Sequence, residues 1–181
     1  MLKTILTFVL LAGALPAGAA SPDWHQRLNE MMPLLGHRNW ILVVDSAYPL
    51  QIAPGIDTVE TGASQMDVVR AVMAAIDHSI QVRPIIFTDS ELPLISDADA
   101  PGVSAYREQL GELLRAYPVE SMRHERIISR IDEAGKTFRI LVLKTNMTIP
   151  YTSVFIRLDC KYWNADQEKN LRSVMGNPSR R

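Results

Sequence analysis

The chain has 181 residues, 47% of them hydrophobic and 22% charged, with a formal net charge of −1 and a single cysteine. That balance argues against nucleic acid or an anionic membrane as partner, and one cysteine excludes an intrachain disulfide. The length allows one domain with a substantial core.

Residues 1–20, MLKTILTFVLLAGALPAGAA, place Lys3 before an apolar run from Ile5 to Leu15 and end in small residues. This is the layout of a secretory signal peptide, and the run is too short to span a bilayer permanently. Cleavage before Ser21 leaves Ser21-Pro22-Asp23 as a helix start, with a capping hydroxyl, a proline and an acid at the positive helix end. The expected product is exported, to the periplasm or the medium, with no membrane attachment after cleavage; an uncleaved anchor is the competing reading. Losing Lys3 takes the net charge from −1 to −2. Residues 21–181 show no linker, repeat or low-complexity tract and read as one domain.

Within that domain a helix is expected from Asp23 to Leu35, with Trp24, Leu28, Met31 and Met32 inward and Pro33 breaking or kinking its last turn. Trp40 to Asp45 is an apolar run suited to a strand covered on both faces. Ser64-Gln65-Met66-Asp67 opens a second helix, continued by Val68, Val69, Val72, Met73 and Ile76. Arg83 to Thr88 reads as a strand, Pro101-Gly102 starts a helix that Pro118 stops, and Val119 to Met122 is a short strand. A helix through Ile127, Ile128 and Ile131 ends at Gly135; strands follow at Phe138 to Lys144 and Ser153 to Asp159, then a polar helix from about Ala165. Such alternation indicates an α/β layered domain with a largely parallel sheet flanked by helices. Cys160, at the end of an alternating run, reads as an inert, buried thiol.

Ligands of such sheets gather beyond the carboxyl ends of the strands. Here those ends are Asp45, Thr88-Asp89-Ser90-Glu91 and Lys144-Thr145-Asn146. Wet strand ends are polar in any case, so polarity alone decides nothing. The sequence has no glycine-rich phosphate loop, no Gly-x-Ser-x-Gly elbow, no zinc spacing among His25, His37, His78 and His124, and no acidic calcium loop. No metal or organic cofactor is expected.

The stretch LGHRNWILVVDSAYP, residues 35–49, carries a more specific signal. A helix ending in Leu-Gly-His, an apolar strand and then Asp-x-x-aromatic-Pro resembles the N-terminal signature of the RbsD/FucU family, the ribose pyranases and fucose mutarotases. The family's Gly-His-x-Asp falls on Gly36-His37-Arg38-Asn39. Its Asp-Ala-x-Phe-Pro-like segment falls on Asp45-Ser46-Ala47-Tyr48-Pro49, and its Tyr-Gly-Asn tripeptide looks like Tyr151-Thr152-Ser153. The resemblance implies an RbsD-like fold, a ring-shaped homo-oligomer, decameric in the best-known members, with the pocket completed by a neighbouring subunit, and a monosaccharide ligand.

Interconverting anomers or ring sizes requires a proton delivered to the ring oxygen and one removed from the anomeric hydroxyl. Histidine can give and take protons at neutral pH, so His37 is the expected general acid/base, as the resemblance also implies. Without the resemblance it reads first as a helix-terminating histidine at a negative helix end. Asp45 offers an acceptor-only carboxylate for two sugar hydroxyls, or else caps the following turn. Tyr151 can donate or stack while main-chain groups of Thr152 and Ser153 hold hydroxyls, or the segment is an ordinary strand entry after Pro150. His124 and Arg126 lie nearest the family's second-half sugar-binding residue.

Two departures stand out: Asn39 replaces the carboxylate that would orient the imidazole, and Thr152-Ser153 replaces Gly-Asn. Three readings follow: a mutarotase or pyranase, a carbohydrate-binding protein that has lost the chemistry, and an assembly protein. His37 together with Asp45 favours the first two, because assembly does not need that pair.

Overall fold

The computed structural model describes residues 23–175. Residues 1–20, the expected signal segment, lie outside them. Asp23 caps the first helix, its carboxylate accepting the His25 N–H at 3.0 Å, and α1 runs Trp24–Met31. Pro33 has no N–H to continue the α-helical ladder, so Met32–Leu34 tighten into a 3₁₀ turn instead of extending α1 to Leu35. The remaining elements are β1 (Trp40–Val44), β2 (Ile56–Glu60), α2 (Gln65–His78), β3 (Val82–Asp89), α3 (Val103–Leu114), β4 (Val119–Met122), α4 (His124–Gly135), β5 (Ile140–Lys144), β6 (Val154–Cys160) and α5 (Ala165–Met175).

The sheet order is β2-β5-β1-β6-β3-β4. β2, β5, β1, β3 and β4 run in one direction, and β6 runs against them between β1 and β3. The domain is thus an α/β layered fold with a mostly parallel sheet. All five residues of β1 are buried, as its unbroken apolar run requires. Ile41 and Val43 point into a core shared with α1, α2 and α3, while Trp40, Leu42 and Val44 meet Phe87, Ile127 and Ile131 beneath α4. Truncating a side chain such as Leu42 to alanine would destabilise the fold by about 2–5 kcal/mol.

β2 escapes the sequence expectation because it is an edge strand, pairing only with β5 and carrying the mixed sequence IDTVE. Gly55 places it: a Cβ there would stand 2.5 Å from the Gly135 carbonyl oxygen and 2.8 Å from that of Phe138. Glycine therefore lets the start of β2 approach the end of α4. α5 has no buried residue and lies outside both cores. Among the described residues no helix is long and apolar enough to cross a membrane.

Candidate functional site

The parallel strands deliver their last residues to one edge of the sheet. Asp45 follows β1, and Asp89 closes β3; β6, running the other way, has Tyr151 and Ser153 just before its start. A cavity of about 460 Å³ opens at this edge, lined by Asp45, Tyr48, His124, Ile128, Ile149 and Tyr151 among others. Small-molecule sites commonly occupy about 300–1,000 Å³ and combine apolar walls with a few converging polar groups.

Three expected residues meet here. His124 is the first residue of α4, where Glu91 accepts its backbone N–H at 3.2–3.3 Å and so satisfies a free donor at the helix start. Its Nδ1 lies 3.1 Å from Asp89 Oδ1, which leaves Nε2 as the nitrogen free for a ligand. The Asp89 side chain is fully buried, and Oδ2 has no hydrogen-bond partner among the described residues. Burial pushes the Asp89 carboxyl up to about 6; His124 pulls it down, and Glu91 and Asp45 add to the rise.

The Tyr151 ring stands edge-on to His124 with centroids 5.5 Å apart, at a residue held at φ +59°. A left-handed backbone is unfavourable for tyrosine and persists where surrounding contacts enforce it. Those contacts converge on Thr152, whose carbonyl accepts from Tyr106 Oη at 2.6 Å and from Gln65 Nε2 at 2.9 Å. Gln65 also donates to Val43 O and accepts from Thr145 Oγ1, so one buried amide ties the Tyr151 loop to the end of β1 that presents Asp45. Asp45 itself accepts the Ala47 N–H through Oδ1 at 2.9 Å, and Ser153 Oγ donates to its Oδ2 at 3.4 Å.

Other expected residues fall elsewhere. Thr152 and Ser153 are buried beneath the loop and do not line the cavity, because their polar groups serve internal contacts. Arg126 is exposed on α4, away from the cavity lining. His37 precedes β1 and therefore stands at the opposite edge of the sheet from Asp45 within one protomer. There its Nδ1 lies 3.0 Å from Asp159 Oδ1, and Arg38 Nε donates to its Nε2 at 3.1 Å. Asn39 lies beside it, accepting the Gly36 N–H at 2.8 Å and donating to Arg139 O at 3.1 Å.

Asp89, Gln65, Tyr48 and Asp159 are the polar residues that sequence reasoning did not single out. Asp89 stood in the polar strand end Thr88-Asp89-Ser90-Glu91, where only its burial separates it from its neighbours. Among the described residues no group of three His, Cys, Asp or Glu side chains is arranged to hold a metal ion.

No family model matches the sequence, and no curated protein matches it. Among solved structures, the chain is similar to Bacillus subtilis RbsD complexed with D-ribose, at 12% identity over 82% of this chain and 96% of that one, with a TM-score of 0.52. It is also similar to FucU from Bifidobacterium longum, at 14% identity over 73% of this chain and 92% of that one, with a TM-score of 0.50. With nearly the full length of both structures covered, the chain has the RbsD/FucU fold.

Proposed function

We propose that the cavity binds a free monosaccharide and interconverts its anomers or ring forms by acid/base ring opening. The observation that carries this is the convergence of His124, backed by Asp89, with Asp45 and Tyr151 around one cavity of suitable size. The likeness to an RbsD complexed with D-ribose supports the choice of a sugar.

The chemistry moves two protons and breaks one bond. A base removes the proton of the anomeric hydroxyl, the C1–O1 bond becomes a carbonyl, the C1–ring-oxygen bond breaks, and an acid protonates the released oxygen. Rotation about C1–C2 and reversal of these steps closes the ring as the other anomer, with no net proton change. Asp45 accepts sugar hydroxyls and Tyr151 covers the ring. His124 Nε2 and, once the sugar displaces the Arg38 donor, His37 Nε2 supply the two proton-transfer groups, His124 from the protomer itself and His37 from a neighbouring copy. Charge supports such head-to-tail docking in part: the edge around His37 carries Arg38, Arg130 and Arg157 against Glu133 and Asp159, and the opposite edge carries the accessible carboxylates Asp45 and Glu91. The ring-shaped oligomer belongs to this proposal, as does export, which rests on residues 1–20 and is checked by N-terminal sequencing of exported protein at Ser21.

Saturation-transfer NMR across a panel of aldoses tests the reaction. At least one aldose should exchange anomers faster with protein than in buffer, and His124→Ala and His37→Ala should each reduce the gain. Mixing His37→Ala with Asp45→Ala subunits should restore about a quarter of the sites if each site draws on two copies. Binding of an aldose without faster exchange would make the protein a carbohydrate-binding module. A stable monomer by light scattering at micromolar concentration would exclude the shared site.

A further inference from the structure

We infer that Asp159, clamped by Arg83, is the positioning residue that fixes the ring orientation and tautomer of His37. The inference rests on the reading of His37 as a proton-transfer group, and its geometry stands independently of that reading.

His37 sits on an exposed turn, where an imidazole would ordinarily rotate freely and sample both neutral tautomers. Backbone register removes that freedom. β1 pairs antiparallel with β6, Trp40 opposite Arg157. Two further hydrogen bonds carry the pairing past the strand end, from Arg38 N to Leu158 O at 2.9 Å and from Leu158 N to Asn39 O at 2.8 Å. Asp159 is thereby brought alongside His37, although 122 positions separate them in sequence.

The carboxylate is itself held from the other side. β3 pairs with β6 so that Arg83 faces Asp159, and both Arg83 Nε and Nη2 donate to Asp159 Oδ2, at 3.0 and 2.7 Å. With Oδ2 taken by the guanidinium, Oδ1 is the oxygen left for His37 Nδ1. Burial works against ionisation of Asp159, but Arg83, the Cys160 N–H and His37 outweigh it and hold the carboxyl below its ordinary value. An ionised carboxylate only accepts, so Nδ1 must carry the proton. Arg38 gives the same answer from the far side of the ring, since its Nε donates to Nε2 and requires a lone pair there. Both contacts select the Nδ1–H tautomer and leave Nε2 as the basic nitrogen.

This arrangement also accounts for Asn39. Its amide oxygen accepts from Gly36 N and its nitrogen donates to Arg139 O, so it shapes the turn and does not touch the imidazole. The orienting acceptor comes from β6, across the sheet, not from the residue two places after the histidine.

The test is long-range ¹H–¹⁵N correlation of the imidazoles in uniformly labelled, full-length protein, with His37→Gln used to assign the signal. In the wild type His37 should show the Nδ1–H pattern. Asp159→Ala added to Arg38→Ala, which removes the other contact on the ring, should convert it to a mixture dominated by Nε2–H, and in Asp159→Ala alone kcat for anomer exchange should fall about 10- to 100-fold with KM within two- to three-fold. Asp159→Glu should recover part of both signals. Should Asp159→Ala fail to fold, Arg83→Ala is the second variant; freeing Oδ2 should weaken the Nδ1–H preference in the same direction. An Nε2–H pattern in the wild type, or a tautomer unchanged when Asp159→Ala is added to a folded Arg38→Ala protein, overturns the inference. A tautomer that shifts as expected with exchange unaffected would instead overturn His37 as a proton carrier, leaving its pairing with Asp159 intact.

Discussion

The two edges of the sheet carry the same pair of side chains, with the carboxyl pKa shifted in opposite directions. At one edge His124 faces Asp89, and at the other His37 faces Asp159, at nearly equal distances of 3.1 and 3.0 Å. Burial raises the Asp89 carboxyl to about 6, with Glu91 and Asp45 adding to the rise, whereas Asp159 is held below its ordinary value. Burial opposes ionisation at both, so the deciding difference is Arg83. Asp159 has a guanidinium on its second oxygen, while the second oxygen of Asp89 is buried without a hydrogen-bond partner. An imidazole–carboxylate contact thus does not define a state; the neighbours of the carboxylate do.

The severest challenge to this comparison is to remove each imidazole. His124→Ala and His37→Ala are each expected to lower anomer exchange roughly 10²- to 10⁴-fold, measured by NMR saturation transfer, the range for loss of a general acid or base. Full retention in either variant would leave that edge with no part in proton transfer.

Stability should respond with opposite signs at the two edges. A raised carboxyl pKa means that the native fold disfavours the ionised form, so the Asp89 contribution is most favourable at low pH and is lost as pH rises from about 4 to about 6. Asp89→Asn should therefore stabilise the protein at pH 8 by on the order of 1–3 kcal/mol in urea unfolding, and change it little at pH 4. The gain in stability should accompany a loss of exchange. A depressed carboxyl pKa works the other way: the Asp159 contribution is present above about pH 4 and fades as pH falls through its lowered native value. Asp159→Asn should cost about 1 kcal/mol at pH 7, since the side chain retains some solvent contact. Equal signs for the two variants would contradict the contrast.

In the wild-type protein, exchange should fall as pH drops through about 6, because protonating Asp89 removes the negative charge that holds the His124 Nδ1–H. That limb belongs to the Asp89–His124 pair as a unit. The smallest effect is expected from Asn39→Asp. Losing the amide donor to Arg139 O should cost about 0.5–1.5 kcal/mol and bring no gain in exchange, because Asp159 already serves His37. A clear rise in exchange would return the orienting role to position 39.

What could be read from the sequence followed from local physics. The unbroken apolar run of β1, the Ser64 cap whose Oγ accepts the Asp67 N–H, and the stop of α4 at Gly135 are signals confined to a few residues. β2 was hidden because an edge strand has no need of an apolar face. The direction of β6 had a clue in the short link from Lys144 to Val154, since parallel returns need a dozen or more residues and usually a helix. At the site, Asp45 stood out as a carboxylate after an apolar strand, whereas Tyr151 and His124 were reached only through the family resemblance. The partners that set their chemistry did not stand out, because Asp89 is distinguished by burial and Asp159 by strand register, and both arise only when the chain closes.

The position of β1 has a consequence for how the chain reaches its fold. Its neighbours on both sides, β5 and β6, arrive late: Trp40 pairs with Ile140 and with Arg157, and Val44 meets Thr145 101 positions onward. The central, most apolar strand must therefore wait for distant partners, and closing such long loops slows folding relative to local pairing. Until they arrive, WILVV is an unpaired hydrophobic strand available to other chains. Refolding yield should accordingly fall steeply with protein concentration, and a polar replacement at Leu42 should act on the folded core and on this waiting strand at once.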